Sequence, residues 1–577
     1  VNRAHLVPFA LFFVAGIVSV EREVALAVLA TVGALALFMR GVAAGTRAAL
    51  VLALALGVLD GLLFAEHGSA AGDNHMRRFA AVVLETNPRG VGDIEATLRL
   101  DDGSEGLVTF GKPELVGERL ALRAEREPFD EPRNPGEPSS RELEADRGIT
   151  WRLVHARILA RAPPDENDAT LWMARARAWA SARLHATLEE PGATILAGAL
   201  WGERGALPPD LRAEFQDTGT VHVLVTAGLH LGVVAALALG LLHFFRCGRI
   251  GASLGTIALV WAYAAFSGAH LPSLRAATML SFALLARAAG RETLSWNALA
   301  AAAIVVAAMR PSAVTSVSFG LSFSCVAAIF AFAKPLEKQF ERLGAPHVVS
   351  AALGVSIAAQ LGTWPLSAAT FLVIAPYAPL ANVAVVPVVG VAMLAGAAAL
   401  ACASVPALAM LANNIVVSLL DWIVASVAFV GSLPGAHALA TPAPLWALAT
   451  YDAALILAAM LVARKRVRLA SALIACATAL CLWPPRAPNH GLVVTALDVG
   501  QADALVIRTP AGHAYLVDAG GRLERGASAN ASDAEDVGER IVVPFLIRNG
   551  MHHVDAIILS HPHGDHKRFH ANKSGRD

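Results

Sequence analysis

Long apolar runs, too poor in charge for a soluble fold, decide what this chain can become. Val221 to Phe245 and Val383 to Ala401 carry almost no charged side chain. A run of roughly 18 or more apolar residues reads as a membrane span. Several such runs make the chain a polytopic α-helical membrane protein. The composition agrees: 56% of the 577 residues are hydrophobic and 16% are charged, against about 25% charged in soluble proteins. Lysine and arginine balance aspartate and glutamate at 46 each, so there is no global basic signature of a nucleic-acid binder. The charge is instead segregated into loops. Cys247, Cys325, Cys402, Cys476 and Cys481 are scattered, and their spacing suggests neither a disulfide framework nor a zinc knuckle. They read as small hydrophobes.

Three spans open the chain within residues 1–66, at roughly 6–20, 24–39 and 48–65. No small-residue cleavage site follows the first, so it reads as a retained span and not a signal peptide. Residues 67–165 hold five short alternating segments separated by turns such as Asn87-Pro88-Arg89-Gly90 and Asp101-Asp102-Gly103. That pattern predicts a small β-barrel domain, with the OB type as one candidate. Pro128 to Ser140 reads as a rigid, turn-rich loop. Residues 166–219 read as an amphipathic helix and linker, the helix running from Asp168, its N-cap, to Glu190. Trp172 and Trp179 lie on it beside Arg175, Arg177 and Arg183, a mixture that suits a membrane surface, a phosphate track or a solvated docked helix. Residues 220–485 hold about ten further spans.

Charge orients these spans. With the β domain outside, the cytoplasmic segments hold Arg40 and Arg47; Arg246 and Arg249; Arg287 and Arg291; Lys334, Lys338 and Arg342; and Arg464, Lys465, Arg466 and Arg468. The outer segments between spans hold Arg22, Arg275 and Arg310. This is the positive-inside bias. It makes the β domain extracytoplasmic and puts the C-terminal segment in the same compartment.

From residue 486 the pattern turns α/β. Strands are predicted over Gly491–Asp498, Leu505–Arg508, His513–Val517 and Ala556–Leu559, and a helix over Val542–Asn549. The last strand runs into His561, His563, Asp565 and His566. Four potential ligands within six residues can converge at a strand end, and imidazole with carboxylate suits zinc or manganese. Two such ions can clamp a phosphodiester and activate water. This HxHxDH pattern resembles the metallo-β-lactamase superfamily, as do the Asp498–Asp503 turn and the Asp518-Ala519-Gly520-Gly521 turn. The resemblance implies a partial α/β metallo-β-lactamase-like domain over 486–577, with His561, His563, Asp565 and His566 as metal ligands and Asp565 as the candidate catalytic carboxylate. Relatives carry a second half that supplies further ligands, whereas this sequence stops at Asp577. A truncated or split gene is therefore expected, with uncovered sheet edges and weak or absent hydrolase activity.

The membrane region resembles the ComEC-type competence family. Phe215 to Leu224 followed by Thr226-Ala227-Gly228-Leu229-His230 is similar to the signature that opens the family's competence domain, with Ala227 where relatives have serine. Gly268, Pro272, Arg275 and Ala276, then Phe319 to Phe323, then Gln360, Pro365, Asn382 and Pro387, match later segments. Arg133-Asn134-Pro135-Gly136 resembles the loop that closes the family's OB-like domain. Polar groups within apolar spans are expensive and usually face a bundle interior or a wet cavity. His222, His230, Arg275, Gln360 and Asn382 are accordingly candidates for a DNA pathway, with helix–helix hydrogen bonding as the alternative.

The resemblance implies a multi-pass protein of the bacterial inner membrane that transports single-stranded DNA during natural transformation. Its OB-like domain would bind single-stranded DNA. Expected partners are single-stranded DNA, membrane lipid, a DNA receptor on the outer face, and a cytoplasmic ATPase or single-strand-binding proteins. A divalent metal, zinc or manganese, is the expected cofactor. The rivals are a membrane-anchored metal-dependent hydrolase or nuclease and a truncated inactive gene product. A small-solute transporter would show inverted repeats, and none is visible.

Overall fold

The computed structural model describes residues 6–21, 52–59, 73–88, 94–111, 115–129, 132–137, 139–145, 148–164, 171–203, 207–224, 228–268, 270–291, 295–402, 404–483, 491–499, 503–520 and 538–560. The chain forms two compact units. The first comprises residues 1–128, 144–363 and 375–436, and the second residues 129–143, 364–374 and 437–577.

In the first unit, five strands close into a barrel. They are β1 (Asp73–Pro88), β2 (Ile94–Leu100), β3 (Glu105–Phe110), β4 (Arg119–Glu127) and β5 (Trp151–Ala162), in the order β1-β2-β3-β5-β4. All pairs are antiparallel except β3 with β5. Closure leaves no sheet edge to recruit another chain, and the strand order is that of the OB type. Alternate residues point inward, so Val83, Leu98, Leu120 and Leu122 are fully buried in the barrel core. Arg126 lies 5.1 Å from the Phe79 ring centroid and 5.0 Å from that of Trp151. It also donates to Asp102 at 2.8 Å. Burial pushes the Asp102 carboxyl up, but hydrogen bonds from Ser104 and Arg126 outweigh it and hold the group at about 2.

The helices of the first unit are α1 (Leu6–Glu21), α2 (Trp172–His185), α3 (Gly192–Trp201), α4 (Pro209–Asp217), α5 (Gly228–Phe244), α6 (Arg249–Phe266), α7 (Leu271–Ala288), α8 (Ser295–Met309), α9 (Val317–Arg342), α10 (His347–Phe371), α11 (Ala378–Ala401) and α12 (Pro406–Gly431), with α10 running on into the second unit. Helix α13 (Leu445–Ala463) and helix α14 (Val467–Leu482) belong to the second. Six of the described helices, α6 and α9 to α13, are long and apolar enough to cross a membrane. Helices α5, α8 and α14 are shorter apolar helices. Together they make the chain a multi-pass membrane protein. Pro335, Pro365 and Pro387 lie inside α9, α10 and α11; neighbouring helices re-satisfy the backbone groups that such prolines free.

Two features of residues 166–219 differ from the expectation. Helix α2 starts at Trp172 and stops at His185, with no side-chain cap at its start; Asp168 lies outside the described residues. Turns lie within residues 186–191, and Pro191 keeps Glu190 out of a helical conformation. The segment beyond Pro191 is not a linker. Helix α3 is an apolar ten-residue segment buried along almost its whole length. Its Ile195, Leu196 and Leu200 pack with Val389 and Met393 of α11 and Leu420 and Ile423 of α12 in one large core cluster. A Cβ at Gly396 would lie 2.7 Å from Leu196 Cδ2, so small residues let these helices approach.

The second unit packs Ala447, Tyr451 and Ala454 of α13 against Ala477 and Cys481 of α14. Its sheet has the order β9-β8-β7-β6, formed by β6 (Val493–Ala496), β7 (Leu505–Arg508), β8 (Ala514–Val517) and β9 (Ala556–Ile558). Strands β8 and β9 are parallel and the other pairs antiparallel. Helix α15 (Val543–Arg548) covers one face through Phe545 and Leu546, which pack with Val506 and Leu516. Val494 on strand β6 and Ile557 and Ile558 on strand β9 are exposed.

His185 joins α2 to the residues around α3. Its Nδ1 meets Glu190 Oε1 at 2.6 Å and its Nε2 meets Glu203 Oε1 at 3.2 Å. Glu203 also accepts from Ser181 Oγ and Trp201 Nε1. The Glu203 bond raises the His185 pKa most; burial opposes it, Glu190 adds to it, and the result is about 9. A free imidazole titrates near 6.5. The stabilisation is therefore complete below about pH 6.5 and is lost as pH rises through about 9. Thermal melting between pH 6 and 10 should show this loss. Glu203→Gln should lower the melting temperature at pH 7 and flatten the profile; an unchanged profile would remove His185 as its cause.

Candidate functional site

The buried polar residues of the first unit form two groups. Arg275 lies in the first turns of α7 and is buried. It donates through Nη1 to the carbonyl of Ser322 on α9, and its guanidinium lies 5.9 Å from the Phe323 ring centroid. A Cβ at Gly228, the first residue of α5, would sit 3.4 Å from Arg275 Nη2. Glycine there lets the α5 backbone approach the cation. His230, one residue beyond Leu229, is also buried. Arg275 Nε has no hydrogen-bond partner among the described residues. A buried guanidinium with a donor to spare in an apolar bundle carries unspent capacity for an acceptor.

The second group joins α10, α11 and the turn before α5. Gln360 Nε2 donates to the Ala375 carbonyl at 2.9 Å. Asn382 Nδ2 donates to Ser356 Oγ at 2.8 Å, while its buried Oδ1 lacks a partner among the described residues. Ala375 and Ala378 face Gly219, whose φ is +70° and whose Cβ would lie 2.7 Å from Ala378 Cβ. Only glycine fits that turn. His222 lies just beyond it, exposed, with Nδ1 3.1 Å from the Gly219 carbonyl. Local contacts thus link His222 and Gln360 through one turn, while Arg275 sits with the start of α5 and with α9. Thr226 and Ala227 lie outside the described residues.

In the second unit, strand β9 leads to the metal motif. His561, His563, Asp565 and His566 themselves lie outside the described residues. Their approach is built by Asp518, which is buried with φ of +54°. Asp518 N donates to the Ile558 carbonyl at 2.8 Å, and its Oδ1 accepts from Ser560 N at 2.9 Å. The carboxylate therefore fixes the backbone one residue before His561. Among the described residues, Glu337, Glu341 and His347 also bring three ligand atoms within 4.8 Å of one another. Lys334 bonds Glu337 at 3.1 Å and His347 bonds Glu341 at 2.7 Å, so this cluster is an ion-pair network.

The loop Arg133-Asn134-Pro135-Gly136, expected to close the barrel, instead belongs to the second unit. Asn134 Nδ2 donates to the Asp498 carbonyl at 3.0 Å, and Asp498 N donates back to Asn134 Oδ1 at 2.8 Å. Arg133 Nη1 meets Asp498 Oδ2 at 3.3 Å. Glu137 Oε2 accepts from the backbone amides of Arg133 and Asn134, at 3.2 and 3.1 Å. An asparagine amide matches a backbone N–H and C=O pair, so this loop behaves like a short added strand at the end of β6. Sequence spacing holds no signal for that pairing, because the partners are 364 residues apart.

Comparison with known proteins agrees with this architecture. Residues 200–487 match the competence protein family, and residues 497–566 match the metallo-β-lactamase superfamily. ComE operon protein 3 of Bacillus subtilis (strain 168) is 25% identical over 395 residues, covering 66% of this chain and 49% of that protein. The chain thus spans about half the length of that relative. The uncharacterized protein YcaI of Escherichia coli (strain K12) is 30% identical over 164 residues, 26% of this chain and 21% of that protein. An uncharacterized protein of Aquifex aeolicus (strain VF5) is 34% identical over 171 residues, 29% of this chain and 38% of that protein. No solved structure matches the chain at a comparable level.

Asn134→Ala removes both amide bonds and leaves the half-buried backbone groups of Asp498 unsatisfied, at a cost of about 1–3 kcal/mol. Hydrogen exchange of the full chain should show faster exchange over residues 493–499 with little change in β1 to β5. Equal protection in variant and parent would rule out the clasp.

Proposed function

With the membrane domain of the competence family joined to a metallo-β-lactamase-type segment, the chain is a competence protein of the ComEC type, and from that premise we propose that it passes single-stranded DNA across the bacterial inner membrane during natural transformation. The observation that carries this reading is Arg275. It is a buried cation inside the competence-matched region, held by a backbone carbonyl and an aromatic ring, with its Nε donor unpaired among the described residues. A passing phosphodiester would offer that donor an acceptor. Gly228 packs beside the guanidinium. His222, His230, Gln360 and Asn382 are the further polar groups of the pathway.

The C-terminal segment supports a metal-dependent role on the outer face. The donor set His561, His563, Asp565 and His566 fits a divalent ion such as zinc or manganese, and Asp518 holds the strand end from which it starts. Bound there, such an ion would supply Lewis acidity and an activated water for phosphodiester hydrolysis. Asp565 is the proposed catalytic carboxylate. The partners proposed are a DNA receptor outside, and an ATPase or single-strand-binding proteins in the cytoplasm. A membrane-anchored hydrolase is the second reading, favoured by the superfamily match at 497–566.

Transformation of a strain whose only copy is this chain, scored with linear marker DNA, separates the two. The channel reading expects transformants, and a loss of roughly ten- to hundredfold in Arg275→Ala, the worth of one charge-assisted hydrogen bond. The variant's abundance in the membrane must match the parent's. Transformation that survives Arg275→Ala but fails in His561→Ala would favour the hydrolase. No transformants from the intact chain, with a full-length relative working, would sink the channel.

A further inference from the structure

Three arginines form one row across the outside of the barrel. Arg78 on β1 is the cross-strand partner of Arg123 on β4, and Arg123 is the partner of Arg157 on β5. All three are exposed. None has a hydrogen bond or ion pair among the described residues, although the carboxylates nearby are engaged. Glu125 pairs with His155 at 3.5 Å, and Glu118 with Arg161 at 3.6 Å. Neighbouring strands lie about 4.8 Å apart, and like charges directly opposite one another destabilise a sheet. Two consecutive Arg–Arg pairs on three adjacent strands therefore work against the fold unless an external polyanion neutralises them.

The barrel also restricts where such a ligand can lie. Barrels of this type bind oligonucleotides over strands 2 and 3. Here Glu95, Thr97 and Leu107 of that face are buried, while Thr109 beside them is exposed. The face formed by β1, β4 and β5 exposes the three arginines. Phe79, Phe110 and Trp151 are buried, and no aromatic side chain among the described barrel residues is exposed for a base to stack on. Guanidinium groups without aromatic neighbours grip phosphates and not bases.

We propose that the row Arg78–Arg123–Arg157 is a phosphate track that guides a single DNA strand over the β1-β4-β5 face, without regard to base sequence. The identity of the polyanion rests on the DNA-uptake reading; the track itself rests on the row. It replaces stacking, expected of an OB-like domain, with backbone contact.

The test uses the full chain in detergent and fluorescence anisotropy with a labelled oligothymidylate and a mixed-sequence oligonucleotide across a salt series. Arg78→Gln, Arg123→Gln and Arg157→Gln combined should weaken both oligonucleotides equally. The slope of log affinity against log salt should fall by about 2, since each lost single-strand phosphate contact contributes about 0.7. The melting temperature should hold or rise as the repulsion is relieved. The triple lysine variant should keep most of the slope, which separates charge from misfolding. Unchanged affinity and slope in the glutamine variant, with the parent binding, would overturn the track while leaving the uptake reading intact. A parent that binds no oligonucleotide would overturn both. Binding to phosphatidylglycerol vesicles that falls in the glutamine variant, with DNA binding unchanged, would make the row a membrane contact and overturn the proposal.

Discussion

Backbone hydrogen bonding in a medium without water governs the larger part of this molecule. In lipid, every N–H and C=O must find its partner inside the protein. The segment from Gly228 to Leu482 meets that demand with ten consecutive helices among the described residues. Once backbones are satisfied internally, what remains to hold helices together is close packing and a few polar contacts. Alanine and glycine dominate the buried positions of α8 and α11 for that reason. The approach of Leu196 to Gly396 and of Arg275 to Gly228 is the same device used twice: once to bury a short helix, once to admit a cation.

That constraint also explains why the polar residues are few and particular. Thr256, Thr278, Ser324 and Thr363 bond back to carbonyls one turn earlier and so need nothing from a neighbour. Gln360, Asn382 and Arg275 reach to other helices or turns. Of these, Arg275 and Asn382 retain a buried polar atom without a partner among the described residues. Unspent hydrogen-bonding capacity inside an apolar bundle is destabilising, which is why the proposed pathway starts from these two residues.

The C-terminal sheet is organised by contacts that span the sequence. Asp518 fixes the backbone at Ser560, and Asn134 takes the backbone of Asp498 from a loop that lies between two barrel strands in the sequence. The HxHxDH motif was legible because three histidines and an aspartate crowd into six residues. The Asp518 carboxylate was legible only as part of a turn, since its role depends on a parallel strand that arrives some forty residues later. The Arg133 to Gly136 loop is legible as a turn-rich loop, but its bonds to Asp498 are not, because its nearest neighbours in sequence are barrel strands.

The amino-acid sequence by itself determined the apolar spans and the alternating barrel strands. Each is a local pattern whose cause, burial in lipid or burial on one face of a strand, acts within a few residues. Tertiary structure alone decided that Gly192 to Trp201 is a core helix, that Asn134 clasps Asp498, and that Arg78, Arg123 and Arg157 share one row. Those facts come from strand register and helix contact between residues tens to hundreds of positions apart, and register is set by the whole set of packed surfaces rather than by any segment that contributes to it.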